Sequence, residues 1–160
     1  MKELLPNLKQ VACNDDSLRY YQFENKLKIY NEWQNCKSVM LQMPTGTGKT
    51  HLFVSIVNDI LACRMHDGII PSVLLLVHRK ELVNQITETL ASYGLEYGII
   101  QVGTEESRFC HIQVASVQSL VRRLQRWGRI RFEFVIIDEA HHTPSPTYMK
   151  ILDAFSDSKL

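Results

Sequence analysis

The chain has 160 residues, of which 45% are hydrophobic and 22% are charged, as is typical of a soluble globular protein. This length suffices for one domain with a substantial core but not for two of ordinary size, so we expect a single domain over residues 1–160. Lysines and arginines number 18 and acidic residues 17, for a formal net charge of +1. Bulk charge therefore gives no argument for nucleic-acid binding, and any such contact must be local.

The four cysteines, at positions 13, 36, 63 and 110, stand far apart in the sequence and form no Cys-x-x-Cys pair. This spacing disfavours a zinc site or a disulfide framework and favours reduced thiols. The amino terminus lacks the sustained apolar segment of a signal peptide, and no stretch approaches membrane-spanning length. We therefore expect a cytoplasmic protein without a membrane partner.

Hydrophobic periodicity and turn residues predict an alternation of helices and strands. A helical extension at 4–12, within the first 17 residues, precedes a long helix at 18–33. An apolar strand at 38–43 leads through a Gly-rich loop into a helix at 49–64. Four more strands are predicted at 72–77, 97–102, 111–115 and 132–137, and helices at 80–92, 116–128 and 147–155.

This alternation predicts an α/β domain whose mainly parallel sheet is covered by helices on both faces. Ligands of such domains bind at the carboxyl ends of the strands. The loops after Met43, Val77, Ala115 and Ile137 should therefore open on one edge of the sheet.

The loop between the first predicted strand and its helix indicates a nucleotide triphosphate site. Small residues let backbone N–H groups approach a polyphosphate, and the chemistry assigns ATP and Mg²⁺ to the residues Thr45, Gly46, Thr47, Gly48, Lys49 and Thr50. Lys49 is placed to reach the β- and γ-phosphates, and the Thr50 hydroxyl can coordinate Mg²⁺. The strict pattern has a glycine where this chain has Met43, while the following Gly-Lys-Thr is intact.

The last predicted strand ends in two adjacent carboxylates. We expect Asp138 to hold Mg²⁺, partly through water, because that ion keeps much of its hydration. Glu139 is the candidate that orients or deprotonates the water attacking the γ-phosphate. The adjacent His141 and His142 could suggest a zinc site, but the side chains of neighbouring residues diverge. His141 is therefore interpreted as a relay between the nucleotide site and a partner surface.

Five motifs follow one another along the chain: Leu18-Arg19-Tyr20-Tyr21-Gln22, Pro44-Thr45-Gly46-Thr47-Gly48-Lys49-Thr50, Val77-His78-Arg79-Lys80-Glu81-Leu82-Val83-Asn84-Gln85, Ala115-Ser116-Val117-Gln118-Ser119-Leu120 and Ile136-Ile137-Asp138-Glu139-Ala140-His141. This series resembles the first RecA-like lobe of a superfamily-two helicase or translocase with a DEAH-type box, in the branch of type III restriction subunits, RadD and XPB-like proteins. The likeness covers residues 18–142. It implies a RecA-like P-loop NTPase fold and ATP hydrolysis coupled to movement on, or unwinding of, nucleic acid, with DNA favoured over RNA.

The same resemblance implies roles for residues outside the phosphate loop. Arg19 and Gln22 fall in the motif that binds ATP, and an amide such as that of Gln22 can pair bidentately with adenine. Strand phosphates are assigned to residues that open two of the predicted helices, namely His78, Arg79, Lys80, Ser116, Gln118 and Ser119. Helix capping is the alternative role for the residues at both of these helix starts.

A basic cluster comprises Arg122, Arg123, Arg126, Arg129 and Arg131. It lies toward the far end of the helix predicted at 116–128, about 15 Å from the ligand edge at a rise of about 1.5 Å per residue. Arginines there also complement the helix dipole. We therefore favour a solvated face over a DNA-binding stripe.

In the resembling family, a further motif follows the Asp-Glu-x-His strand, and a second RecA-like lobe supplies an arginine finger. The sequence ends at Leu160, so we expect a truncated lobe that binds ATP and Mg²⁺ weakly, turns over slowly and has the second lobe of its parent protein as a partner. Two alternatives stay open, a non-catalytic ATP-binding docking module and the lobe of an RNA helicase. A P-loop kinase is disfavoured because no acceptor-binding lid is recognisable.

Overall fold

The computed structural model describes residues 8, 11, 17–63, 68–78, 80–140 and 145–160, with residue 80 described by its backbone only. The chain forms two compact units, Met1–Pro71 and Ser72–Leu160, and each is described by itself. Leu8 and Val11 have helical backbone, and the rest of the helix expected at 4–12 lies outside the described residues. No helix in the described part of the chain is both long and apolar enough to cross a lipid bilayer.

The first unit contains two packed helices, α1 (Tyr20–Asn35) and α2 (Lys49–Ala62). Their apolar residues recur at helical spacing, so each helix presents one buried stripe to its surroundings. On α1 this stripe includes Ile29, Tyr30 and Trp33, of which Tyr30 is fully buried. Both helices were predicted from this periodicity; α2 begins at the predicted Lys49, and the other three ends differ from the predicted ends by two residues.

The strand predicted at 38–43 is not formed. Residues 38–44 have no regular secondary structure, although burial alternates between exposed Met40 and buried Met43 as it would along an extended chain. A strand also needs ladder hydrogen bonds to a neighbour, and the sheet in the described residues does not include this segment. The apolar run indicated an extended chain correctly, but it carried no information on pairing.

The second unit is an α/β sandwich built on a four-stranded sheet. Its elements are β1 (Val73–Val77), α3 (Lys80–Ser92), β2 (Tyr97–Ile100), β3 (Ile112–Ser116), α4 (Val117–Val121), α5 (Leu124–Trp127), β4 (Phe134–Ile137) and α6 (Pro146–Ala154). The strand order is β2-β3-β1-β4, and all three pairings are parallel. This confirms the predicted parallel sheet.

Helices cover both faces of this sheet. One face packs on α4, α5 and α6 through an apolar cluster that includes Leu74, Leu76, Trp127, Tyr148 and Ile151. Helix α3 packs on β1 and β3, and its buried residues are not part of that cluster, so it covers the opposite face. Every residue of β1 and β3 is therefore buried, as expected for a strand enclosed on two sides.

Helix α3 ends as the sequence predicts. Gly94 has a φ of 68°, in the left-handed region where glycine carries no steric cost. The N–H of Leu95 then bonds to the carbonyl of Leu90 at 3.0 Å, and that of Gly94 to Ala91 at 2.9 Å. These bonds satisfy carbonyls that the end of a helix leaves open.

The helix predicted at 116–128 is instead two short helices, α4 and α5. Arg123 between them has a φ of −113° and a ψ of 11°, and its N–H bonds to Leu120 only three residues back, at 2.9 Å. Glu106 contacts Arg123 Nε at 3.1 Å and Arg126 Nη1 at 3.3 Å. The sequence has no glycine or proline at this break, so nothing local predicted it. Helices of four and five residues also weaken the dipole argument for the basic cluster.

Candidate functional site

The loop at 44–48 has the backbone that a phosphate cradle requires. Gly46 and Gly48 have φ angles of 78° and 77°, a region in which side chains are strained. The Thr47 hydroxyl donates to the Pro44 carbonyl at 2.7 Å and closes the turn. Gly48 is the N-cap of the 14-residue helix α2, so Lys49 and Thr50 lie in a first turn whose open N–H groups favour an anion.

Gln22, the predicted adenine reader, uses its amide within the protein. Its Oε1 accepts from the Arg19 N–H at 2.8 Å, and its Nε2 donates to the carbonyls of Thr47 and Gly48, both at 3.0 Å. The residue is only 4% exposed, and a Cβ atom on Gly48 would lie 2.5 Å from its Nε2. In this conformation Gln22 holds the phosphate loop. Its adenine-reading role stays a prediction, and that role requires Nε2 to leave the two carbonyls.

Tyr21, which was not among the predicted site residues, makes a second contact to the loop. Its hydroxyl donates to the Thr47 carbonyl at 2.9 Å and accepts from Arg19 Nη1 at 3.3 Å. The signal that could have found Tyr21 is its position next to Gln22 in the same motif. Arg19, predicted to bind the nucleotide, thus lies one contact away from the loop.

A buried polar network fixes α1 to α2. Lys26 is fully buried, its Nζ lies 2.7 Å from Asp59 Oδ2, and it also donates to the Ser55 hydroxyl. The Tyr30 hydroxyl donates to the same Asp59 carboxylate at 2.7 Å. Because α1 starts at the Gln22 motif and α2 starts at the phosphate loop, this network sets the position of one relative to the other. The sequence feature that could have revealed this network is the presence of Lys26 and Asp59 on the otherwise apolar stripes of α1 and α2.

The second unit places the two predicted carboxylates just after β4. The Asp138 N–H bonds to the Leu76 carbonyl at 2.9 Å, which continues the β1–β4 pairing by one residue. The backbone of Glu139 has a φ of 59°, in the left-handed region. Glu139 is the one residue other than glycine with positive φ in the described part of the chain. Such backbone costs on the order of 1–3 kcal/mol and concentrates at functional positions. Both carboxylates are half-buried.

Tyr148 of α6 lies close to these carboxylates. Its ring stacks on His78, with centroids 6.4 Å apart and 12° between the planes. Burial, with smaller contributions from the charges of Asp138 and Glu139, raises the pKa of Tyr148 to about 12. The hydroxyl therefore stays protonated at neutral pH, and among the described residues it has no hydrogen-bond partner. Tyr148 was not among the predicted site residues, because its place in the helix predicted at 147–155 carries no local sign of a contact with His78.

The residues predicted to contact strand phosphates differ in accessibility. Ser116 is 1% exposed and donates its hydroxyl to Ser119 at 2.7 Å, so it is turned away from a ligand in this conformation and does not cap α4 through its side chain. Gln118 is exposed and His78 is half-buried. Arg79, the side chain of Lys80 and His141 lie outside the described residues, so their assigned roles stay predictions.

The predicted metal donors are divided between the two units. Thr50 belongs to the first and Asp138 to the second, so the prediction that they serve one cation joins the units and stays a prediction. A hydroxyl and a carboxylate are oxygen donors of the kind that Mg²⁺ prefers, and the donor set fits that ion. The described residues include no group of three or more histidines, cysteines or acidic residues arranged to hold a metal.

Known proteins resemble this chain over most of its length. Residues 15–160 match the family described as type III restriction enzyme, res subunit. IRC3 of Saccharomyces cerevisiae, named provisionally as an ATP-dependent helicase, is 36% identical over 133 residues, which are 78% of this chain and 19% of IRC3. The DNA 3'-5' translocase XPB2 of Sulfurisphaera tokodaii is 29% identical over 139 residues, which are 87% of this chain and 28% of XPB2.

The crystal structure of the UvsW helicase from bacteriophage T4 shares the fold. It superposes with a TM-score of 0.70 over 89% of this chain and 50% of the UvsW chain, at 17% sequence identity. The chain spans between 19% and 28% of the length of the curated relatives it matches.

The parallel sheet and the phosphate loop together define an α/β protein of the RecA-like P-loop NTPase class. Within that class, the chain belongs to the type III restriction enzyme res subunit family. It is a helicase-family domain, as its resemblance in sequence motifs implied, and it has relatives named as ATP-dependent helicases and as a translocase.

Proposed function

We propose that this chain is the ATP-binding lobe of a DNA helicase or translocase that uses Mg²⁺ and couples ATP hydrolysis to movement on, or unwinding of, DNA. The main support for the proposal is the loop at 44–48, in which two glycines have left-handed backbone and the second directly precedes α2 at Lys49. Family membership and the names of the relatives support the nucleic-acid part. The similarity to XPB2, a protein named as a DNA 3'-5' translocase, supports DNA in particular.

In this proposal, ATP binds with its phosphates on the loop and at the start of α2. Lys49 contacts the β- and γ-phosphates as a point charge, and backbone N–H groups bind the phosphate oxygens. Glu139 accepts a proton from the water that attacks the γ-phosphate, so that inorganic phosphate and ADP are formed. Thr50 and the DEAH-box Asp138 are the residues that would hold Mg²⁺, which when bound neutralises charge on the phosphates.

The proposed DNA contacts lie at the carboxyl edge of the sheet in the second unit. His78 follows β1 and Gln118 opens α4, so both follow the carboxyl ends of adjacent parallel strands. Contacts of this kind position a strand by its phosphates and carry no sequence information. Tyr148 stacks on His78 and lies near Asp138 and Glu139, which provides a physical connection between the DNA contact and the carboxylates.

Two variants separate nucleotide binding from turnover. Lys49→Ala removes the charge that contacts the phosphates, so we expect the affinity for a non-hydrolysable ATP analogue to fall by about tenfold or more. Glu139→Gln keeps the shape of the side chain but cannot accept a proton, so we expect ATP affinity to be retained and phosphate release to fall by about 100-fold or more. Calorimetry and a phosphate-release assay measure these two effects.

Two exposed residues provide matched controls, Lys28→Ala on α1 and Glu88→Gln on α3. Both should bind and hydrolyse ATP as the unmodified protein does. Unchanged analogue affinity in Lys49→Ala would remove the phosphate loop from the mechanism. ATP binding without hydrolysis, and without any response to DNA, would instead favour a docking module.

A further inference from the structure

The amino edge of the sheet carries a feature that the proposed ATP and DNA contacts do not use. The parallel register pairs Ile112, the start of β3, with Val73, and Val73 with Phe134, the start of β4. The segments just before these strands, 107–111 and 128–133, therefore lie at the edge opposite to Ser116 and Asp138. The five residues of β3 separate the two edges by about 15 Å at roughly 3.3 Å per residue.

Phe109 is displayed at this edge with 97% of its surface exposed. The loop that carries it is held firmly, because the buried Gln113 donates its Nε2 to the carbonyls of Ser107 at 2.7 Å and Cys110 at 3.1 Å. The loop also packs on β2, where a Cβ atom on Gly98 would lie 2.4 Å from the Ser107 carbonyl oxygen. Phe109 is thus an aromatic ring presented to solvent by an anchored loop.

Arginines surround an open cleft beside this loop. The cleft has a volume of about 490 Å³ and is lined by Arg108, Gln125, Arg126, Arg129 and Ile130. The Arg108 guanidinium lies 5.6 Å from the centroid of the buried Trp127 ring, which restricts its orientation. Among the described residues, Arg108 and Arg129 form no ion pair with an acidic side chain.

The nearby acid does not cancel this charge. Glu106, with a side chain only 12% exposed, contacts both Arg123 and Arg126, so one carboxylate faces two guanidinium groups. Arg108 and Arg129 add two further charges. The cleft therefore has a surplus of positive charge although the whole chain carries a net charge of only +1.

We propose that Phe109 and the cleft arginines Arg108, Arg126 and Arg129 form a second nucleic-acid contact, specific for a single strand, at the amino edge of the sheet. Planar guanidinium groups bind phosphates bidentately, and an exposed ring beside them stacks on an unpaired base. A duplex hides its base faces, so it would engage only the arginines. The inference rests on the proposed nucleic-acid activity and adds a site to it.

Two variants test the two halves of this site with a labelled oligothymidylate and with a blunt-ended duplex, between about 50 and 200 mM salt. Phe109→Ala should weaken single-strand binding by about tenfold, as expected for one stacked base. It should leave the salt dependence and the duplex affinity unchanged. The double variant Arg108→Ala with Arg129→Ala should make the fall of log affinity with log salt less steep for the single strand. The magnitude of the slope should decrease by about 1.4, or about 0.7 for each phosphate contact.

Arg131→Ala is the matched control, because Arg131 contacts Glu133 at 3.4 Å and does not line the cleft. It should leave the slope unchanged. Phe109→Trp keeps a stacking ring and adds a direct signal, since its fluorescence should be quenched when the oligothymidylate binds. Thermal unfolding of each variant monitors the fold.

The possible results separate this site from the proposed function. If the unmodified chain binds neither oligonucleotide, the proposed nucleic-acid activity fails and this site with it. If it binds but the Phe109 and arginine variants behave as Arg131→Ala does, only the amino-edge site is overturned. An equal loss of single-strand and duplex binding in Phe109→Ala, or an unquenched Phe109→Trp, would overturn the stacking contact. Polyglutamate serves as a third probe, for an acidic protein partner. If the arginine variant loses polyglutamate binding but keeps oligothymidylate binding, the nucleic-acid site is overturned in favour of such a partner.

Discussion

At the scale of single residues, Gln22 is engaged by the protein at every polar atom that the predicted adenine contact would need. Both hydrogens of its Nε2 are engaged by the Thr47 and Gly48 carbonyls, and its Oε1 accepts from the Arg19 N–H. An amide can pair bidentately with adenine only if these bonds are exchanged for bonds to the base. The same residue would then report to the phosphate loop whether adenine is bound.

Gln22→Ala distinguishes this exchange from a purely structural clamp. If Gln22 reads adenine, we expect ATP affinity to fall by about tenfold and the preference for ATP over GTP to be lost, because one bidentate base contact provides about that discrimination. Competition binding with ATP and GTP analogues measures the ratio. A clamp without base reading would lower both affinities together, so a preserved ratio would contradict the adenine role.

At the scale of secondary-structure elements, the buried Lys26–Asp59 pair joins the two helices of the first unit. Both side chains are almost inaccessible to water, and the Tyr30 hydroxyl donates to the same carboxylate. A buried ion pair adds little net stability over apolar packing, but removal of one partner leaves an uncompensated charge. We infer that the pair specifies the packing of α1 on α2.

Lys26→Met should destabilise the protein by about 3–5 kcal/mol, because Asp59 is then left buried without its countercharge. Lys26→Met with Asp59→Leu should recover much of that loss. Lys28→Met, at an exposed position of the same helix, is the control and should change the free energy of unfolding by about 0.5 kcal/mol at most. Urea unfolding measures all three. A loss below about 1 kcal/mol for Lys26→Met would show that the pair is not what fixes the two helices.

The elements of the second unit were the most predictable part of the fold. Helix α3 occupies the predicted residues 80–92, and every strand predicted after residue 70 is present within two residues at each end. These elements depend on local periodicity and on terminators such as Gly94. The strand at 38–43 and the continuous helix at 116–128 were wrong. Strand pairing and the contacts of Glu106 with Arg123 and Arg126 are long-range and leave no local pattern.

The candidate site was predictable in its residue types but not in its contacts. Gly46 and Gly48 have left-handed backbone and Lys49 begins α2, while the binding of ATP by these residues stays a prediction. The inward orientation of the Gln22 amide depends on a contact across 26 positions of the sequence. The burial of Ser116 depends on packing at the end of β3. Neither was visible in one segment of sequence, because both are set by tertiary neighbours.

At the scale of the whole molecule, the residues proposed to act on ATP are divided between the two units. Lys49 and Thr50 are in the first unit, and Asp138 and Glu139 are in the second. Hydrolysis as proposed requires the two sets to act on one nucleotide and one Mg²⁺ ion. A double-mutant cycle tests for such cooperation, because residues that act on a common ligand have effects that do not add.

The most direct measurement is the apparent Mg²⁺ affinity, in the presence of a saturating ATP analogue, of Thr50→Ala, Asp138→Ala and the double variant. A second cycle of Thr50→Ala with Asp153→Ala, at an exposed position of α6, serves as the control and should be additive. If the two units share the cation, the first cycle will show a coupling energy of about 0.5–3 kcal/mol. Additivity of Thr50→Ala and Asp138→Ala within about 0.5 kcal/mol would contradict a shared site.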